Sequence, residues 1–166
     1  MTPPAWLHLA IAKFLERALD NEIIRLQHPW KAFREPGQQT EADTSRLPDV
    51  LIVPLNAITD CLDQTAVLTV AAILIVEIVS ESTALKDYRE KVIEYQAKGV
   101  QEYWIVDPDP FGAAKYIGSP KRPTVSVYSL LDGTYQVKRF QGSDLVHSPT
   151  FPELQLTAEQ ILSAGR

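Results

Sequence analysis

An α/β fold, with a mixed β-sheet held between helices, is expected from three features of this chain. Short, almost wholly apolar runs at 50–53, 70–79 and 103–106 read as strands buried on both faces. Apolar residues at helical spacing precede the first run and separate the second from the third. Two further alternating stretches near the C-terminus meet at an Asp-Gly pair, the residues a tight hairpin turn prefers.

The elements follow in order. Leu7, Ile11, Phe14, Leu15 and Ala18 recur at helical spacing, so Trp6 to about Asp20 is expected to be an amphipathic helix. Ile23 to Arg34 reads as a bent strand stopped by Glu35-Pro-Gly37, and the polar stretch Gln38 to Ser45 as a turn or mobile loop. Arg46 to Pro54 is the second strand. Asn56 to Thr69 is irregular with room for a short helix, and Val70 to Val79 is the third strand. Asp87-Tyr-Arg-Glu90 fits a capping box, and Lys98-Gly99 supplies a basic last turn and a C′ glycine. Glu102 to Asp107 is a buried strand closed by Pro108. Because a helix precedes it, the crossover makes it the parallel neighbour of the third strand. Thr124 to Leu130 and Tyr135 to Phe140 form the appended hairpin, and Thr157-Ala-Glu-Gln160 is a capping box opening a C-terminal helix. The core order is αβββαβ, and the chain, residues 1–166, is expected to be a single domain.

Composition narrows the function only a little. The net charge of −5 does not announce a nucleic-acid binder, and the basic groups Arg25/Lys31/Arg34, Lys86/Arg89/Lys91/Lys98 and Lys115/Lys121/Arg122 are interleaved with acids and read as solvated faces. The single Cys61 excludes an internal disulfide and a cysteine-based zinc cage. No apolar run reaches the roughly 18 residues a membrane helix needs. The start of the chain lacks signal-peptide features, so a cytoplasmic setting without membrane contact is expected.

One residue stands out. Glu77 is the lone charge in the most apolar run of the chain, where a carboxylate loses its hydration unless a partner or a cation compensates. Asp49 and Lys91 are the nearest candidates. If the second and third strands are neighbours, both carboxylates project at one sheet edge. Two acids and a strand carbonyl, that of Ile78, then offer Mg²⁺ or Mn²⁺ the oxygen ligands it prefers. An ammonium nearby would orient or deprotonate a water, or stabilise developing charge. The same residues equally make an ordinary buried ion pair. Ser80, Ser82 and Thr83 follow the acidic strand and suit either phosphate contact or helix entry. Tyr88 and Tyr95 flank Lys91 and would shield it, while Tyr103 and Trp104 read as core. His8 is placed on the solvent side of the first helix, and His28 and His147 have no partner at ligand spacing.

The set of segments Leu47-Pro-Asp-Val-Leu-Ile-Val53, Ile75-Val-Glu-Ile-Val-Ser-Glu-Ser-Thr83, Asp87-Tyr-Arg-Glu-Lys91, Tyr95 to Pro108 and Ser148 to Leu156 resembles the Uma2 branch of the PD-(D/E)XK restriction-endonuclease-like nucleases, a branch abundant in cyanobacteria. The resemblance implies a Mg²⁺- or Mn²⁺-dependent endonuclease hydrolysing DNA, with Asp49 and Glu77 as metal acids and the catalytic lysine displaced onto the following helix as Lys91. The superfamily's usual lysine position is Val79 here. It implies supporting roles for Asp87, which would hold Lys91 or cap the helix, for Ser80, and for Glu16 as a further acid. The alternative is a degenerate nuclease-fold module that binds nucleic acid or a protein partner without cutting. Chains of this branch usually open with a hairpin ahead of the first helix, so a shortened N-terminal part is also expected. A homodimer is expected as well, because the hairpin and sheet edge would gain from pairing.

Overall fold

The computed structural model describes residues 2–166. A six-stranded mixed sheet runs in the order β1 (Trp30–Phe33), β4 (Val50–Pro54), β6 (Leu74–Ile78), β7 (Glu102–Asp107), β8 (Thr124–Leu131) and β9 (Thr134–Phe140). β6 and β7 are parallel, as their crossover requires, and the other pairs are antiparallel. Side chains alternate across the central strands and so build two cores. Leu74, Val76 and Ile78 pack with Ile11, Leu15, Leu19 and Ile23 of helix α1 (Trp6–Leu26). Ile75 and Val79 pack with Leu51, Tyr95 and Tyr103 beneath helix α2 (Lys91–Lys98). The helices therefore cover opposite faces of the sheet. No helix among the described residues is long and apolar enough to cross a membrane.

Several boundaries differ from expectation. Helix α1 continues past Asp20 to Leu26 and ends on Gln27 in the left-handed conformation, because Ile23 extends the buried stripe Ile11-Leu15-Leu19 by one more turn. Only Trp30–Phe33 of the long first strand is extended. The expected loop at 38–45 is instead an antiparallel pair, β2 (Gly37–Glu41) with β3 (Thr44–Arg46), and β2 also pairs in parallel with β5 (Val67–Leu68). Buried Gln38 explains its order: its amide donates to the carbonyls of Leu68 and Val70 and accepts from the Ala72 N–H. The second and third strands are shorter than expected, because pairing between β4 and β6 covers only Val50–Ile52 and Leu74–Val76.

Near the C-terminus local signals hold. Asp132 and Gly133 both have positive φ, 50° and 79°, as a two-residue primed turn requires. Thr157 and Gln160 exchange both capping-box bonds at the start of the C-terminal helix Ala158–Leu162. The capping box at Asp87, however, is not formed. The helix has already begun there, in a widened π-type turn Lys86–Glu90 that runs into α2, and Asp87 faces inward. Its N–H bonds the carbonyl of Thr83, so it has no free amides to cap.

Candidate active site

The antiparallel register aligns Val50 with Val76, so Asp49, one residue before β4, lies across from Glu77 of β6. Both are on the α2 side of the sheet, at the end where the parallel strands β6 and β7 finish. Asp49 is locked in place by two bonds: its Oδ2 accepts the Ile78 N–H at 2.7 Å, and its Oδ1 lies 2.7 Å from His8 Nε2. Glu77 is buried. Its Oε1 accepts the Tyr95 hydroxyl at 2.7 Å and its Oε2 lies 3.2 Å from Lys91 Nζ. Lys91 also donates to Asp87 Oδ1 at 2.7 Å. Two successive turns of helix thus deliver the acid Asp87, the cation Lys91 and the donor Tyr95 to the same strand end, because each is four residues from the next along one face. Tyr103 braces the arrangement by donating to the carbonyl of Asp87 at 2.9 Å and meeting the Tyr95 ring edge-on.

Burial sets the charges. Desolvation pushes the Glu77 carboxyl up to about 8; the Lys91 ammonium opposes the shift, and Asp49 and Asp87 reinforce it. Asp87 is raised for the same leading reason, with Lys91 again opposing. Burial works to lower Lys91, but the carboxylates of Glu77 and Asp87 more than offset it and hold the ammonium above its ordinary range. Tyr95 is raised by burial and by Glu77, so it stays a phenol and donates.

The site fits a hard divalent cation on two observations. Once Glu77 is ionised, as a bound cation would favour, Asp49, Glu77 and Asp87 outnumber the ammonium of Lys91. In addition, Asp87 Oδ2 is buried without a hydrogen-bond partner. Among the described residues no group of three or more His, Cys, Asp or Glu side chains is disposed to hold an ion by itself. A cation would rest on two carboxylates, a strand carbonyl and water, the kind of shell Mg²⁺ takes.

Of the residues singled out from sequence, Asp49, Glu77, Ile78, Asp87 and Lys91 meet at this point. Two do not. The Ser80 hydroxyl donates to Thr83 Oγ1 at 3.1 Å and lies against Ser82, so it serves the entry of the helix. The Glu16 carboxylate accepts the Arg34 backbone N–H at 3.1 Å and pairs with the Arg34 side chain. Tyr88 turns from Lys91 to Asp107, donating at 2.9 Å. His8 is the residue that sequence reasoning misplaced. It is four residues before Ala12, in line with the buried stripe Ala12-Leu15-Leu19, and that spacing already marked it as inward-facing.

Comparisons with known proteins bear on the family and the fold. The fold is a mixed α/β domain whose sheet is flanked by helices, of restriction-endonuclease-like type. The family profile of Uma2, described as "putative restriction endonuclease", matches residues 1–159. The chain belongs to the Uma2 family. It is similar in fold to the crystal structure of a "putative nuclease belonging to DUF820" from Anabaena variabilis ATCC 29413, with a TM-score of 0.75 and 21% sequence identity over 100% of this chain and 85% of that one. No curated protein matches. The family match reaches back through α1 and so includes His8, whereas the sequence motifs pointed only to Arg46 and beyond.

Proposed function

We propose that this protein is an endonuclease that hydrolyses DNA phosphodiester bonds with Mg²⁺ or Mn²⁺. The observation that carries the reading is the convergence of Asp49, Glu77 and Lys91 at one strand end, with Lys91 Nζ 3.2 Å from Glu77. Asp49, Glu77 and the Ile78 carbonyl would hold the cation, which supplies charge to offset that gained by the phosphoryl group in the transition state. Lys91 acts as a cation and donor. With its ammonium stabilised it is no base at neutral pH, and two of its three N–H groups face Glu77 and Asp87. The third is free to orient the attacking water or a phosphate oxygen. His8 and Tyr95 are positioning residues that fix the Asp49 and Glu77 carboxylates. Water attacks phosphorus, one ester P–O bond breaks, and the products are a phosphate monoester and a free hydroxyl end.

The test is incubation of purified protein with plasmid or single-stranded DNA and Mg²⁺, beside Glu77→Ala and Lys91→Ala. Equal background cleavage by all three ends the enzymatic reading. A second reading, a module that binds without cutting, is favoured by one observation: every oxygen of Asp49 and Glu77 already has a partner within the protein. Calorimetry with Mn²⁺ separates the two, since the degenerate module shows no heat dependent on Asp49 and Glu77. We also propose a homodimer, because β9 is an outer strand with most of its side chains exposed. Light scattering that gives a monomer at all concentrations removes it.

A further inference from the structure

We infer that Arg34 is the phosphate-binding arm of the candidate active site, taking the non-bridging oxygens of a nucleic-acid phosphodiester beside the one at Asp49 and Glu77. This rests on the nuclease reading above. Arg34 lines a cleft of about 260 Å³ together with His8, Leu47, Pro48 and Asp49, so it shares that space with the first acid. Among the described residues it is the one lysine or arginine lining that cleft. Lys91, the other cation near the site, is turned toward Glu77 and Asp87.

The guanidinium is engaged by one ion pair, to Glu16, and by no hydrogen bond among the described residues. Arg34 Nε is buried with no hydrogen-bond partner, although Glu16 Oε1 lies 3.4 Å away. Among the described residues the terminal nitrogens make no hydrogen bond either. Arg46 and Arg25, by contrast, each place two N–H groups on one carboxylate. A buried N–H without an acceptor is costly, and a planar fork with free donors is the group that best matches phosphate oxygens. The segment is also held. The Glu16 carboxylate accepts the Arg34 backbone N–H at 3.1 Å, and the next residue, Glu35, adopts φ 85°, a conformation that non-glycine residues avoid unless their surroundings enforce it. Glu16, named from the sequence as a possible further acid of the site, thus serves it by anchoring this arginine. Glu35 is exposed at the rim of the cleft, so its charge is screened by solvent.

The experiment measures binding of a fluorescein-labelled single-stranded oligodeoxynucleotide by anisotropy, across a salt series in Mg²⁺. Glu77→Gln is the parent protein, so that the probe stays intact. Arg34→Gln is expected to weaken binding about tenfold, the loss of one charge-assisted bidentate contact. The log–log salt slope should become shallower by about 0.7, the value of one phosphate on a single strand. Arg34→Lys should recover the slope and part of the affinity, because it keeps the charge and loses the fork. A residue with a merely structural role would move the melting temperature and leave the slope alone. A parent that does not bind, an Arg34→Gln variant with the parent's affinity and slope, or a lysine variant that fails to recover the slope overturns the assignment. Cleavage by wild-type protein and its loss in Glu77→Ala are read separately. With cleavage intact and the slope unmoved, only Arg34 falls; with the slope moved and no cleavage, only the catalytic reading falls.

Discussion

Replacing Lys91 by methionine tests the charge cluster directly. Methionine keeps most of the volume of the side-chain stem and removes only the ammonium. That ammonium is 2.7 Å from Asp87 and 3.2 Å from Glu77, and the side chains of the three residues are 12%, 1% and 4% exposed. At an effective dielectric constant of about 20, each contact carries roughly 5–6 kcal/mol of attraction, most of it offset by the cost of taking the charges out of water. Removing one partner leaves that cost in place without its compensation, a net loss of about 3–5 kcal/mol. In a chain of this length the melting temperature should fall by about 10 °C in buffer containing EDTA at about pH 9, where the Glu77 carboxyl is ionised. Adding Glu77→Gln to Lys91→Met should return about half of the loss, because Asp87 still lacks its partner. Urea unfolding of the wild type, both single variants and the double variant gives the coupling energy. A loss below about 1 kcal/mol for Lys91→Met, the worth of an exposed ion pair, would refute the argument and return Lys91 to the solvated helix surface.

Glu77 also predicts a pH dependence. Its carboxyl is raised from 4.5 to about 8, so the folded state holds the proton more tightly than the unfolded chain. The stability this contributes is complete below about pH 4.5 and is lost as the pH rises through about 8. Melting in EDTA should therefore show a decline between pH 5 and 9 that Glu77→Gln flattens, and parallel curves would count against it. At the opposite end of β7, the buried Glu102 accepts Ser148 Oγ at 2.6 Å, Trp104 Nε1 at 2.6 Å and the Thr150 N–H and hydroxyl at 3.0 and 2.8 Å. Ser148→Ala should cost about 1.5–3 kcal/mol in chemical denaturation and leave cleavage at low temperature at the wild-type rate. Gly112→Ala places a methyl 2.7 Å from Tyr88 Cε2 and 3.0 Å from Asp107 Oδ2, so it should destabilise by about 1–3 kcal/mol and alter the near-UV tyrosine signal. Unchanged melting would show that the Tyr88 ring yields freely.

Much of this molecule was legible in one dimension because the relevant physics is local. The strands at Val50, Leu74 and Glu102 show as apolar runs, the Asp132-Gly133 turn as its dipeptide, and the caps at Thr157 and Gly99 as their residues. Glu77 was conspicuous because burial of a charge is improbable without a reason, and the i,i+4 spacing of Asp87 and Lys91 was there to read. The same locality misled at Asp87, where a capping pattern sits inside a helix that had already begun. It misled at 38–45 too, where polar residues are ordered by a single buried glutamine.

What the tertiary structure alone decided is which groups meet. His8 and Asp49 are 41 residues apart and come from different elements, and no periodicity links them. Glu16 belongs to Arg34 and not to the acids, since the helix carries it along to β1. The residue types and their faces follow from sequence, because helix and strand periods are fixed by backbone geometry. Their partners follow only from the packing of α1 and α2 on opposite faces of one sheet, which brings His8 from one side and Lys91 from the other to the same strand end.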